Sequence, residues 1–312
     1  MLDDLEITAV IPTIGSRPSI SRTIDALLKQ SVPPIEIIVV VPPDRQLVAL
    51  SEEQQINIKL LASSETGAAA QRNLGASSVE SSLVLFIDDD ILLEESALEQ
   101  FRDLFIRNRE AVAVSGIMSD AGATPSNRAA LWYRFLAGRD LESYGGKVIG
   151  PAYNLYVPTD VVDEEVGVEW LNSGCVCYRT RVFDRLRFNE VFFKQYSYME
   201  DVDLSVRASR WGELFVLTSV RIDHVGTAPG DLQLFQRTAM GVINRYYVMT
   251  RTMGRKSVSY LLKFILLNAF NIVSRSFRIR TASDFVNWLA VTLGVLWGTI
   301  QLPFKLKGHK GP

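Results

Sequence analysis

The alternation of apolar and polar positions divides the chain into three stretches. Residues 7–12 form a short apolar run closed by Pro12, and the loop Thr13-Ile14-Gly15-Ser16-Arg17-Pro18 follows. Ser19 is placed to cap a helix in which Ile20, Ile24, Leu27 and Leu28 recur at helical spacing, until Pro33-Pro34 stops it. Residues 35–41 and 58–61 read as buried strands, and 67–76 as a helix rich in small residues that carries Arg72 and Asn73. Residues 83–87 are a fourth strand, running directly into Asp88-Asp89-Asp90. A helix-like pattern begins beyond these acids and is clearest over 96–107, where Leu98, Phe101, Leu104 and Phe105 share a face. Residues 111–117 are a fifth strand. Uninterrupted apolar strands alternating with helices imply a mostly parallel α/β sheet covered on both faces.

The middle stretch is less regular. Residues 119–168 are rich in Gly, Pro, Asn and Arg and read as a long loop over the scaffold, packed down by Trp132, Tyr133, Tyr144, Tyr153 and Tyr156. Residues 169–179 read as a glycine-containing turn entering a strand. Val202, Val206 and Ser209 then recur at helical spacing up to Gly212, which puts Glu200 and Asp201 at a helix start, where acids also serve as caps. A further strand ends at Arg221-Ile222-Asp223-His224-Val225-Gly226.

The character changes after Gln233. Residues 257–273 are apolar except for Lys263, Asn268 and Asn271. Residues 285–304 carry no charge, contain Gly294-x-x-x-Gly298, and run into Lys305, Lys307 and Lys310. The second run is long enough to cross a bilayer. However, Asn287, Thr292, Thr299, Gln301 and Pro303 interrupt it, and a spanning hairpin would place Arg275, Arg278 and Arg280 on the outer side. The pattern therefore favours helices lying in the cytoplasmic interface, with arginines and lysines on anionic head groups. The alternative is a helical subdomain packed on the rest of the protein. The expected division is a catalytic domain over 1–230, with halves 1–118 and 119–230, and a membrane-associating tail over 231–312.

Composition narrows the classes. With 312 residues, 47% hydrophobic and 22% charged, a sizeable core is expected. A net charge of −2 gives no whole-chain reason to expect nucleic acid as a partner. Cys175 and Cys177 lie too close on one strand for a disulfide, and no CxxC pair is present. The acidic start Met1-Leu2-Asp3-Asp4 does not resemble a secretory leader, so a cytosolic catalytic part is expected.

Three adjacent aspartates at a strand's carboxyl end sit where open α/β sheets bind ligands. Their mutual repulsion calls for a counter-ion, and a divalent cation carrying phosphate would supply it. A solvated helix-capping turn is the other reading. Neither G-x-G-x-x-G nor G-x-x-x-x-G-K-[ST] occurs, which speaks against a simple dehydrogenase or a P-loop kinase.

Ala9-Val10-Ile11-Pro12-Thr13, Glu36-Ile37-Ile38-Val39-Val40, Gly67-Ala68-Ala69-Ala70-Gln71-Arg72-Asn73-Leu74-Gly75 and Phe86-Ile87-Asp88-Asp89-Asp90 follow one another in an order that resembles the inverting family 2 glycosyltransferases of GT-A fold. The resemblance extends from about residue 6 to about residue 227. It implies transfer of a sugar from a nucleotide diphosphate-sugar to a hydroxyl of a glycan or lipid-linked acceptor, as in bacterial cell-surface polysaccharide synthesis. It implies donor contacts at Pro12, Thr13, Arg72, Asn73, Asp88 and Asp89, and a Mg²⁺ or Mn²⁺ ion held by Asp90 with His224. Glu200-Asp201-Val202-Asp203-Leu204 resembles the family's acceptor motif, with Asp201 as general base and Glu200 orienting the acceptor. Trp170 and Gly174 match the segment beside the acceptor. The family's acid after the second strand is missing from Val41-Pro42-Pro43-Asp44, so Asp44 would replace it from further along the loop. A sugar nucleotidyltransferase is a second reading, though the G-x-G-x-R loop it would need is not matched by residues 12–17. A non-catalytic membrane-bound scaffold is a third.

Overall fold

The computed structural model describes residues 5–43, 45, 47, 50–51, 54, 58–194, 198–226, 232–307 and 309. By contacts the chain forms two compact units. The first comprises Met1–Ser126, Ser143–Lys147 and Leu155–Gly226; the second comprises Asn127–Glu142, Val148–Asn154 and Thr227–Pro312. This division assigns residues 127–142, 148–154 and 227–230 of the 119–230 half to the C-terminal unit.

The first unit is built on one sheet. Its strands are β1 (Ile7–Pro12), β2 (Glu36–Val41), β3 (Ile58–Ala62), β4 (Leu83–Ile87), β5 (Ile91–Leu93) and β6 (Ala111–Met118). After the two-residue hairpin strands β7 (Val148–Ile149) and β8 (Tyr153–Asn154) of the second unit come β9 (Glu165–Val168), β10 (Cys175–Arg179) and β11 (Glu213–His224). The sheet order is β3-β2-β1-β4-β10-β6-β11-β5, with β9 also paired to β11. The block β3-β2-β1-β4 is parallel, as expected of strands linked by helices, and β6 pairs in parallel with β11. β10 is inserted antiparallel between β4 and β6. Residues of β1 and β4 are buried throughout, so neither face of these strands meets water.

Helices α1 (Ser19–Leu28), α2 (Ala68–Ala76) and α3 (Ala97–Arg107) connect the strands, and α5 (Glu200–Ala208) follows β10. Ser19 is the first residue of α1, and Pro18 ahead of it takes the cap position. Ile20, Ile24 and Leu27 of α1 pack with Leu98, Phe101 and Leu104 of α3 in one core cluster. On the other side, Gly75 of α2 lies against Val10, where a methyl group would collide with that side chain. The small residues of α2 therefore serve close approach to the sheet.

Two expectations are corrected. The residues directly after Asp90 are strand β5, antiparallel to β11, and helix α3 begins only at Ala97. The long loop contains helix α4 (Asn127–Ala137), which belongs to the second unit. Of the residues of α4, Leu136 alone is buried.

The second unit also holds α6 (Leu232–Tyr247), a π-helical turn (Val248–Thr252), α7 (Val258–Ser276) and α8 (Ala282–Lys305). Thr281 and Asp284 cap α8 reciprocally, each side chain bonding the other's backbone N–H. Gly294 and Gly298 let α8 meet α6 closely: a methyl group added at either would lie 2.8 Å from Phe235 O or 2.6 Å from Ala239 O. α7 and α8 are long and apolar enough to cross a membrane by length and composition alone.

Candidate active site

The carboxyl ends of β1 and β4 gather two clusters of charge. In the first, Thr13 follows β1 and its Oγ1 donates to Asp89 Oδ2. Gln71, in α2, pins the same strand end by donating to Thr13 O and Val40 O at 2.8 and 2.6 Å. Arg17 Nη1 lies 3.1 Å from Asp89 Oδ1 and 2.8 Å from Asp90 Oδ2. His224 Nε2 lies 3.1 Å from Asp90 Oδ1. The short strand β5 explains that last contact, because its register sets His224 opposite Ile91, next to Asp90. Gly226 completes the approach, since a side chain there would strike the Asp90 carboxylate, and Val225 N–H donates to Asp90 O at 2.8 Å. Asp89 and Asp90 are both buried. Burial holds the Asp89 carboxyl above its ordinary range, opposed by the Thr13 bond and by Arg17.

The second cluster is organised by Arg72, a buried residue of α2. Its Nη2 donates to Asp88 Oδ1 at 2.7 Å and its Nη1 to Glu200 Oε1 at 2.9 Å. Among the described residues, Nε has no hydrogen-bond partner. The guanidinium stacks over Phe188 at 5.6 Å. Asp88 N–H donates to Gly174 O at 2.8 Å, because β10 pairs with β4, so Gly174 lies directly beside Asp88. Met199, in a left-handed conformation with φ 70°, turns the chain into α5 and brings Glu200 and Asp201 into its first turn. Asp201 is partly buried and accepts from Val202 N–H at 2.7 Å. Desolvation, then the Glu200 charge, pushes its carboxyl up to about 8. Desolvation also raises Glu200, outweighing Arg72.

Arg72 thus connects Asp88 to the Glu200-Asp201 pair, while Thr13, Asp89, Asp90 and His224 form one contiguous group around Arg17. Pro12 is buried at the end of β1. Asn73 faces elsewhere: Nδ2 donates to Phe188 O and Glu190 Oε2, and Oδ1 accepts from Phe188 N–H. Trp170 is 3% exposed, donates to Leu155 O and meets Tyr156 edge-on, so as placed it offers no open face to an acceptor. Asp44 lies outside the described residues. Arg17 and Gln71 were not singled out from the sequence; the polar Gln71 at a buried position of the small-residue helix was the one available signal.

Among the described residues, no group of three or more His, Cys, Asp and Glu side chains is arranged to hold a metal. Asp90 and His224 supply one carboxylate and one imidazole. That set fits a Mg²⁺ or Mn²⁺ ion completed by diphosphate oxygens and water, the usual manner for an ion that arrives with phosphate.

An α/β sheet of this order with acids at its carboxyl rim defines a GT-A-like fold, and solved structures agree. The chain resembles GalNAc-T7, solved with UDP, GalNAc and Mn²⁺, at TM-score 0.53 and 13% identity, covering 83% of this chain and 54% of that one. It resembles the mannosyltransferase PcManGT of Pyrobaculum calidifontis, solved with GDP-Man and Mn²⁺, at TM-score 0.54 and 12% identity, covering 96% and 87%. Glycosyltransferase GlyA of Streptococcus pneumoniae serotype 4 is 23% identical over 196 residues, 61% of this chain, and the chain spans 26% of that protein. Residues 8–160 match the family model described as Glycosyl transferase family 2. That match covers just under half of the chain, so the family is what residues 8–160 resemble, while the solved structures show the GT-A-like fold.

Proposed function

We propose that the chain transfers a sugar from a nucleotide diphosphate-sugar to a hydroxyl of a glycan or lipid-linked glycan, with inversion. The observation that carries this reading is Arg72, which ties the acidic rim at Asp88 to the Glu200-Asp201 pair at 2.7 and 2.9 Å. Donor and acceptor chemistry need to meet at one point, and this arginine links the residues proposed for each. The UDP, GalNAc and Mn²⁺ of one structural relative and the GDP-Man and Mn²⁺ of the other support the choice of donor class.

In this reading Pro12, Thr13, Asp44, Arg72, Asp88 and Asp89 form the donor side, while Asn73 holds the backbone of Phe188, whose ring lies under Arg72. Thr13 and Gln71 hold the β1 end against Asp89, and Arg72 orients Asp88. Asp90 and His224 would hold the metal, which when bound would supply positive charge to the departing diphosphate. Asp201 takes the proton of the attacking hydroxyl, a role matched by a carboxyl raised toward neutral pH. Glu200, fixed by Arg72, orients the acceptor. Gly174 leaves room beside Asp88, while Trp170 supports the acceptor side from beneath Tyr156.

The second unit would attach the enzyme to the cytoplasmic face of a membrane. It holds fifteen Lys and Arg against four Asp and Glu, a net of +11, which leaves −13 for the first unit. Leu262, Ile265 and Phe270 of α7 and Leu296, Trp297 and Ile300 of α8 are exposed. Leu131 and Phe135 of α4 extend that apolar surface, with Trp132 against Phe270 at 4.8 Å. Basic charge around exposed apolar side chains suits an anionic bilayer.

The test is release of nucleoside diphosphate from a panel of nucleotide-sugars with Mg²⁺ or Mn²⁺ and candidate acceptors. Asp201→Asn should abolish transfer and keep donor binding. No turnover and no metal-dependent donor binding in the wild-type chain sinks the reading.

A further inference from the structure

The donor side of the site contains two arginines that are held in opposite ways. Arg72 is 3% exposed and anchored through both Nη atoms to two different acids. Arg17 has a side chain 48% exposed, and both of its contacts to the rim run through Nη1 alone. It rides on the loop between β1 and α1, where Gly15 adopts a left-handed φ of 83° that favours glycine. That loop is tied at its start by Thr13, whose Oγ1 also accepts from Gly15 N–H at 3.0 Å. One arginine is a fixed strut; the other is a half-exposed side chain on a short loop.

The position of Nη1 is informative. It lies within ion-pair distance of one oxygen of Asp89 and one of Asp90, while the other oxygens are taken by Thr13 Oγ1 and His224 Nε2. A cation shared by these two carboxylates removes the cost of leaving adjacent buried acids uncompensated. A divalent ion on Asp90 and His224 would compete for the same Asp90 carboxylate. Two positive centres so close repel, and the divalent ion brings twice the charge.

Building on the transferase reading, we propose that Arg17 is an exchangeable counter-ion. It neutralises Asp89 and Asp90 while the donor is absent, releases Asp90 when a divalent cation arrives with the diphosphate, and then donates to the diphosphate itself. The guanidinium fork suits phosphate oxygens, and its partial exposure gives it room to turn. Arg17 is then a positioning residue whose resting contact weakens binding of the bare metal and favours metal delivered with nucleotide.

The experiment is a Mn²⁺ titration of the full chain, followed by the electron paramagnetic resonance signal of free Mn²⁺, with and without nucleoside diphosphate. Arg17→Gln should bind Mn²⁺ alone about tenfold more tightly than wild type, and Mn²⁺-dependent nucleoside diphosphate about tenfold more weakly. A residue serving only the fold would not move the two affinities in opposite directions. Arg17→Lys keeps the charge and loses the fork, so its bare-Mn²⁺ affinity should fall between the two; it carries the test if Arg17→Gln does not fold. Bare-Mn²⁺ affinity unchanged or weakened in the folded variant, with wild-type nucleotide binding intact, overturns the exchange and leaves the transferase reading standing. Absence of Mn²⁺-dependent nucleoside diphosphate binding in wild type overturns both.

Discussion

Replacing Arg72 with Met isolates the strongest electrostatic link in the site. Glu200 has a side chain 7% exposed and loses its cationic partner at 2.9 Å. Stranding one member of a buried pair typically costs about 3–5 kcal/mol. The Asp88 contact adds little, because that carboxylate is 36% exposed, and pairs so open to water contribute about 0–1 kcal/mol. Against these stand relief of the unpartnered Nε and burial of an apolar side chain near Phe188. The net expectation is a loss of about 2–4 kcal/mol at pH 7. The pH dependence has a definite sign. Burial already raises the Glu200 carboxyl in the folded state, and removing Arg72 raises it further. At and below its unfolded value, about 4.3, the raised carboxyl is mostly neutral in both folded proteins, so the deficit is smallest there; it grows as pH rises toward neutrality. Urea unfolding of wild type and Arg72→Met at pH 4.5 and 7 measures it, provided the slope with denaturant is unchanged. Adding Glu200→Gln should recover at least half of the loss at pH 7. A deficit below about 1 kcal/mol, or one equal at the two pH values, would refute the account of a buried pair.

Other outcomes follow from the same geometry. With Asp201 pushed up to about 8 and acting as base, kcat/KM should rise about tenfold per pH unit from pH 6 and level near that value; a flat profile contradicts the role. Gly226→Ala should push Asp90 away from His224 and weaken Mn²⁺-dependent donor binding about tenfold in calorimetry, with wild-type affinity counting against that metal site. Gly298→Leu should force α8 from α6 and destabilise the second unit by about 1–3 kcal/mol. Hydrogen exchange should show lost protection in α6 and α8, and equal protection would mean the glycine contact is dispensable.

The strands of the parallel block and the acids at their ends were legible because buried strands leave continuous apolar runs. Glu200 and Asp201 were legible because the helix periodicity behind them is clean. β5 was not, because three residues cannot display a period, and the strand exists only through pairing with β11. His224 could be named from the sequence, but its meeting with Asp90 depended on that unseen pairing. Arg17 gave no signal because a single arginine in a loop has no periodic context; only the fold shows which acids it faces. Trp170 shows the converse limit: its neighbours match an acceptor segment, yet the space beneath Tyr156 decides that its ring is covered.

The glycine seam between α6 and α8 determines where the chain can be cut. Ala239 and Val242, on the side of α6 that meets Gly294 and Gly298, are buried. A shortened protein ending between Thr252 and Ser257 would discard both apolar helices and look safer to handle in water. It would instead uncover this stripe of α6 and exchange a membrane-seeking surface for a self-associating one. Ending ahead of Leu232 removes α6 along with its partner, but leaves α4 and the β7–β8 hairpin without the rest of their unit, as at Trp132, which packs on Phe270.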